Sequence, residues 1–312
     1  MKTLVLSMIS IAATVAAMTA CTSEGDPIDN IDNGQPVEIK LNAGVITTKS
    51  AITSNDAGEL TADLSNVYFY RIDGDNPDWT TGTPKSFTGT ISATTKGISF
   101  TTKQYYPADG KKTTIGGLFI GDGATTPTLN AGVADFSITG VEDIIYAQPI
   151  DLGDRKAPKS TSLGFTHLLT QFKFIVKVDN VTIKEAISDI NINVKNANTS
   201  SKVTLSDGSI SAWTTPKEIA GPTNLTAPAD GQPSTASSEI MLQPDLSSID
   251  LVITGTGLPT GGLETTIPGS DGGKFEKGKA YEITLTFKAK EVSGTASITK
   301  WEPGKPAEGD VI

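Results

Sequence analysis

Hydrophobic and polar residues alternate with a period of two through much of the chain, and no segment has the spacing of a long amphipathic helix. The clearest case is VEIKLNAGV (37–45), in which every second residue is apolar: Val37, Ile39, Leu41, Ala43 and Val45. Because successive side chains of a strand point to opposite faces, this pattern predicts a strand with one buried face.

Further strand-like segments follow, separated by clusters of the turn-forming residues Gly, Pro and Asn. VYFYRI (67–72) is apolar on both faces apart from Arg71, which is typical of a strand between two layers. LGFTHLLTQFKFIVKV (163–178) predicts one long core strand, and TIKEAISDI (182–190) is compatible with a short helix or a strand. We therefore expect an all-β fold, with two antiparallel β-sandwiches in tandem that meet near GDRKAPKST (153–161).

The start of the chain resembles a bacterial lipoprotein signal. Lys2 precedes an apolar run, residues 4–17, that is shorter than the ~20 residues needed to span a bilayer. The sequence Met-Thr-Ala-Cys at 18–21 then resembles a lipobox, which implies removal of residues 1–20 and acylation of Cys21. The alternative is an ordinary secreted protein whose signal contains a cysteine by chance.

Residues 21–36 are acidic and rich in Gly, Pro and Asn, which predicts a flexible tether. Glu24 and Asp26 resemble the export signal that sends lipoproteins of Bacteroides-type bacteria to the outer face of the outer membrane, although a merely soluble linker fits as well. A lipid on Cys21 would anchor the protein to that membrane, and since Cys21 is the only cysteine, no disulfide is expected.

The composition argues against several other classes of function. The formal net charge of −10 disfavours nucleic acid as a partner. His167 is the only histidine, and its apolar neighbours favour a hydrogen-bonded structural role over catalysis. A zinc site of His and Cys is excluded by count, and no cofactor or metal is expected.

Two weaker candidate sites remain. DGDNPD (73–78) offers calcium-type ligands in Asp73, Asp75 and Asp78, but a solvated turn fits this segment better. An exposed sugar-binding platform could be formed by tryptophans, of which there are three: Trp79, Trp213 and Trp301. No pair of carboxylates stands out as catalytic, so we expect no enzyme.

Three segments together resemble the fimbrillin family, the pilin subunits of Bacteroides and Porphyromonas-type bacteria. They are the lipobox and tether followed by VEIKLNAGVITTKSAI, the LGFTHLLTQFKFIVKV segment, and the ending YEITLTFKAKEVSGTASITKWEPGKPAEGDVI. The resemblance implies two transthyretin-like sandwiches, here residues 50–158 and 159–312, with a removable first strand at 37–49. It also implies adhesive surface fimbriae built from this and related pilin subunits.

In such an assembly, a trypsin-like surface protease removes the first strand, and a C-terminal strand of the next subunit fills the vacated groove. The removable strand would contribute four apolar side chains: Val37, Ile39, Leu41 and Val45. The cut would fall between Lys49 and Ser50, although many family members have Arg at the position of Lys49. Either the protease accepts lysine, or this subunit keeps its first strand.

The expected donor lies between residues 295 and 312, and its apolar candidates are Ile298, Trp301, Val311 and Ile312. Alternatively, the first part of this range completes the protein's own second sandwich. The alternatives to a fibre-forming subunit are an adhesive tip subunit and a monomeric glycan-binding surface lipoprotein.

Overall fold

The computed structural model describes residues 35–44, 60, 62–121, 127–179, 183, 185–211, 213–269, 273–288 and 291–299. Within these ranges the regular structure consists of strands only, which confirms the all-β class. The strands are β1 (Leu41–Ala43), β2 (Leu64–Asp73), β3 (Lys85–Ile91), β4 (Gly97–Phe100), β5 (Thr113–Phe119), β6 (Leu129–Asn130), β7 (Val133–Ser137), β8 (Ile145–Asp151), β9 (Ser162–Leu163), β10 (Phe165–His167), β11 (Thr170–Val178), β12 (Ile187–Thr204), β13 (Thr214–Ala220), β14 (Leu225–Ala227), β15 (Ile240–Leu242), β16 (Ser248–Thr256), β17 (Leu263–Pro268), β18 (Ala280–Lys288) and β19 (Glu291–Thr299). The described part contains no helix that is long and apolar enough to cross a membrane.

Sheet 1 has eight strands in the order β10-β8-β5-β2-β3-β4-β1-β9. Its neighbouring strands are antiparallel except β1 and β9, which run parallel. One face buries a core to which both ends of the sheet contribute, including Leu41 from β1 and Phe165 from β10. The sheet therefore folds over on itself. At Gly117 a Cβ atom would lie 2.7 Å from the ring of Phe165, so glycine permits this close approach.

Sheets 2 and 3 enclose a second core. Sheet 2 has the order β15-β11-β18-β19, with β11 and β18 parallel from Gln171↔Ala280 to Val178↔Phe287. Sheet 3 runs β17-β16-β12-β7-β6, with β13 and β14 also paired to β12. The alternate residues of β11 and β18, such as Phe174 and Ile283, are fully buried between the two sheets.

Strand β12 joins parts of the chain that are distant in sequence. Its first half pairs with β16 and its last residues, Ser200–Thr204, pair with β7. A third core lies where these parts meet, and it includes Leu118, Phe136, Val203 and Met241. The division into two transthyretin-like sandwiches at residue 158 stays a prediction.

The prediction of one long strand over 163–178 is wrong. Strand β10 belongs to sheet 1 and β11 to sheet 2, and the chain crosses between them at Leu168 and Leu169. Both leucines are buried, whereas a continuous strand with one core face would bury only every second residue. The backbone N–H of Leu168 donates to the carbonyl of Ile144, 2.8 Å away, which fixes the crossing. In the ambiguous 182–190 segment, Ile187 to Ile190 are strand.

Candidate functional site

The first strand lies in a slot of sheet 1, with another segment on each side. Leu41 of β1 pairs antiparallel with Ile98 of β4, and Asn42 pairs parallel with Ser162 of β9. Because β1 has neighbours along both edges, its removal would leave a groove with two hydrogen-bonding walls.

Backbone hydrogen bonds hold this segment from Val37 to Gly44. At its start, Ile39 N–H donates to the carbonyl of Gln104 (2.8 Å), and Tyr106 N–H donates to the carbonyl of Val37 (2.9 Å). At its end, the N–H groups of Ala43 and Gly44 donate to the carbonyls of Lys96 (2.7 Å) and Leu163 (2.6 Å). These partners would lose their hydrogen bonds if the segment left.

The side chains alternate as the sequence predicts. Ile39, Leu41 and Ala43 are only 3, 4 and 5% exposed, and Val37 packs half-buried against the same core. Lys40 and Asn42 face solvent. The strand therefore contributes an apolar row to the first core, and its absence would expose the pockets that this row fills.

One end of the slot is narrow. A Cβ atom on Gly44 would lie 3.3 Å from Gly164 Cα and 3.3 Å from the Leu163 carbonyl oxygen. At the other end, Tyr106 supports the wall, because its hydroxyl donates to the carbonyl of Leu152 (3.0 Å). Burial raises the pKa of Tyr106, so the hydroxyl stays a donor.

The last described strand, β19, lies at the edge of sheet 2. It pairs with β18 from Ala280↔Thr299 to Lys288↔Glu291, so that Ile298 lies opposite Tyr281. Val292 and Ala296 pack half-buried against the second core. This segment therefore completes the protein's own sheet, which is the alternative to its being a donor.

Several predicted site residues lie outside the described residues: Cys21, Val45, Lys49, Ser50, Trp301, Val311 and Ile312. Arg71, an arginine poorly placed for a protease, lies in β2 and is 6% exposed. Its guanidinium donates to Asp73 Oδ1 (2.7 Å) and to the carbonyl of Tyr105 (2.8 Å). A protease could reach the peptide bond after Arg71 only once sheet 1 has opened.

His167 has the structural role that the sequence favours. Its Nδ1 lies 2.9 Å from Asp143 Oδ1, and both side chains are almost completely buried. The pair lies beside the crossing between sheets 1 and 2, where it fixes the end of β10.

The aspartates at 73–78 belong to turns and ion pairs. Asp73 accepts from Arg71 and from the Thr113 hydroxyl (2.8 Å). Asp78 accepts from the side chain and backbone of Thr81 and from Thr80, and these hydrogen bonds hold the pKa of Asp78 well below its usual range. Among the described residues, no group of three His, Cys, Asp or Glu side chains could hold a metal ion.

The structure contradicts an exposed platform formed by Trp79 and Trp213. Trp79 is 8% exposed and belongs to the third core. Trp213 packs edge-on against Phe136, with ring centroids 5.4 Å apart. The polar residues beside these tryptophans in the chain suggest exposure, but both rings pack against the third core.

The walls of the slot are not evident from the sequence. Gln104 and Tyr106 follow β4 in an irregular segment, and β9 is only Ser162–Leu163. Neither wall has an alternating pattern that could have revealed it. Only the long-range pairing of β1 shows their role.

Known proteins share both the sequence pattern and the fold. Residues 47–301 match the family model described as "Fimbrillin-like". No curated protein matches the sequence. Among solved structures, a candidate cell adhesion protein from Bacteroides uniformis has a TM-score of 0.58 at 18% identity, with 86% of this chain and 100% of that chain covered.

Two further solved structures share the fold. A candidate cell adhesion protein from Bacteroides ovatus has a TM-score of 0.54 at 16% identity, covering 86% of this chain and 98% of that one. A fimbrial protein from Bacteroides vulgatus has a TM-score of 0.53 at 14% identity, covering 86% of this chain and 100% of that one.

Proposed function

Because the chain belongs to the fimbrillin-like family, we propose that it is the precursor of a structural subunit of an adhesive surface fimbria. The observation that carries this proposal is the first strand. It fills an apolar slot between β4 and β9, yet its strand β1 is only three residues long.

In the proposed pathway, a lipid on Cys21 holds the precursor at the outer membrane. A trypsin-like surface protease then cuts between Lys49 and Ser50, and residues 37–49 leave the slot. Exposing Ile39 and Leu41 alone would cost on the order of 3–6 kcal/mol before chain entropy is subtracted, since a buried Leu or Ile side chain contributes ~1.5–3 kcal/mol.

The open slot would then accept a strand from another subunit. It offers the carbonyls of Lys96, Gln104 and Leu163 and the N–H of Tyr106 for strand addition. Since one chain donates to the next, the contact is head to tail and yields a filament.

We propose that the donor lies beyond β19, in the segment that contains Trp301, Val311 and Ile312. Ile298 is less suitable, because β19 pairs with β18 along its full length. The family and the shared fold indicate a structural protein rather than an enzyme.

Limited proteolysis tests this function. Purified residues 22–312 are treated with a Lys/Arg-specific protease, followed by N-terminal sequencing and size analysis. We expect a new terminus at Ser50, release of the first strand, and oligomers. The matched control is Lys49→Gln, which should stay intact and monomeric under the same treatment.

Two results would contradict the proposal. Either Lys49 resists cleavage while other sites are cut, or the product that begins at Ser50 stays monomeric at high concentration. Both results would favour an adhesive tip subunit or a monomeric glycan-binding lipoprotein.

A further inference from the structure

A second feature is a small cleft beside the end of β2. Its volume is about 270 Å³. Polar and aromatic side chains line it: Asp75, Trp79, Lys112, Thr114, Asp151 and Ser206. None of them belongs to the walls of the first-strand slot.

Regular structure holds these residues in place. Thr114 and Asp151 are opposite each other on β5 and β8. The N–H of Gly74 donates to the carbonyl of Lys112 (2.8 Å), which ties the loop after β2 to the start of β5. Leu205, just before Ser206, donates its N–H to the carbonyl of Gly132 (2.8 Å) and accepts from the Tyr146 hydroxyl (3.0 Å). The cleft is therefore preformed.

Two lining side chains, Thr114 and Trp79, carry a polar group that makes no hydrogen bond to another described residue. Thr114 is 7% exposed and Trp79 is 8% exposed. Within the described part of the chain, neither the Thr114 hydroxyl nor the Trp79 indole N–H makes a hydrogen bond, and neither is among the fully buried polar atoms that lack a partner. The Ser206 hydroxyl likewise makes no hydrogen bond among the described residues, and the Lys112 ammonium acts on Asp151 only electrostatically. The cleft thus holds several polar groups that a ligand could satisfy.

The charges in and around the cleft balance. Asp75 and Asp151 are offset by Lys112 and by Lys159, which pairs with Asp151. A neutral ligand fits this balance better than an ion. Hydroxyl groups, which both donate and accept, match a lining of carboxylates, an ammonium group and hydroxyls.

The apolar part of the lining could contact the C–H groups of a sugar ring. The rings of Pro77 and Pro149 offer apolar surface for C–H groups, to which Trp79, only 8% exposed, adds little. The volume lies just below the roughly 300–1,000 Å³ of pockets for drug-sized ligands, so it suits one ring rather than a chain of rings. We infer that the cleft binds a single neutral pyranose residue of a glycan.

This inference rests on the proposed adhesive function for its biological purpose, since it gives adhesion a ligand class. The cleft itself does not depend on strand exchange. Sugar binding and polymerisation can therefore fail independently.

Saturation-transfer NMR on the purified, uncleaved protein tests the inference. The probes are glucose, galactose, mannose and N-acetylglucosamine, with glucuronate as a charged comparator. At least one neutral sugar should receive saturation on its ring protons and bind more tightly than glucuronate. Thr114→Val and Ser206→Ala should each weaken binding about 2- to 10-fold, as expected for one lost hydrogen bond.

The matched control is Thr284→Val, a strand threonine on the solvent face of sheet 2, which should bind as the unmodified protein does. Unchanged thermal unfolding of each variant shows that only the cleft was altered. The inference is overturned if no neutral sugar binds, if glucuronate binds best, or if Thr114→Val binds as tightly as Thr284→Val. Normal polymerisation of the same preparation after cleavage at Lys49 would then still support the proposed fimbrial function.

Discussion

The first and last described strands differ in how the fold holds them. Strand β1 lies between two neighbours, with Ile39, Leu41 and Ala43 almost completely buried. Strand β19 has one hydrogen-bonded neighbour, β18, and its described core contacts, Val292 and Ala296, are half-buried. Without β1, sheet 1 would have a gap with two walls. Without β19, sheet 2 would only have β18 as its new edge strand.

This difference explains why one end is suited to accept a strand. A gap with two walls offers hydrogen bonds on both sides and pockets of fixed spacing, so it can select a partner. An edge offers hydrogen bonds on one side only. In the proposed assembly, the β1 slot is therefore the acceptor, and β19 has no comparable role.

The largest effect should come from truncating the two strands in matched variants. Leu41→Ala should lower the free energy of unfolding by about 2–5 kcal/mol, because it empties a pocket in the first core. Val292→Ala removes a half-buried side chain and should cost under about 1.5 kcal/mol. Denaturant unfolding measures both, and equal losses would remove the distinction between the two strands.

A second pair of variants probes the narrow end of the slot. Gly44→Val should destabilise the protein by about 1–3 kcal/mol, because the added atoms meet the backbone of Gly164 and Leu163. Asn42→Val, on the solvent face of the same strand, should change stability by less than about 0.5 kcal/mol. Thermal or denaturant unfolding compares the two, and if Gly44→Val were as stable as Asn42→Val, the slot would be wider than the structure shows.

A smaller effect is expected from the ion pair beside the first strand. Glu38 and Lys103 lie 3.3 Å apart and are both partly exposed. Glu38→Gln should cost less than about 1 kcal/mol in denaturant unfolding, and added salt should reduce the difference. A larger loss would mean that charge, rather than apolar burial, holds the strand.

The smallest change in the free energy of unfolding at neutral pH is expected for Asp78→Asn, because this substitution alters one turn and does not affect the first strand. The pKa of Asp78 is lowered on folding, so its contribution to stability is present above the unfolded value of about 3.9 and is lost as pH falls below it. The free energy of unfolding measured with denaturant should therefore fall between pH 5 and pH 3 in the unmodified protein, and fall less in Asp78→Asn. Equal falls would show that the Asp78 turn adds no pH-dependent stability.

Part of this structure could be predicted from the sequence. Period-two alternation identifies the buried face of Ile39 and Leu41 and the core face of β11, because those patterns are local. It does not identify the walls of the slot or the break at Leu168 and Leu169, which depend on pairing between distant segments. The cleft near Trp79 escapes prediction for the same reason, since its lining comes from separate loops and strands.

The most direct test of the central claim is capping of the slot by a peptide. Subunits cut after Lys49 are mixed with a synthetic peptide of residues 36–46, and filament growth is followed by light scattering. We expect this peptide to bind the cut subunits and stop growth, whereas the same peptide with Leu41→Asp should do neither. Undiminished growth with the unmodified peptide bound, or equal inhibition by both peptides, would contradict the claim that the slot left by the first strand is the acceptor.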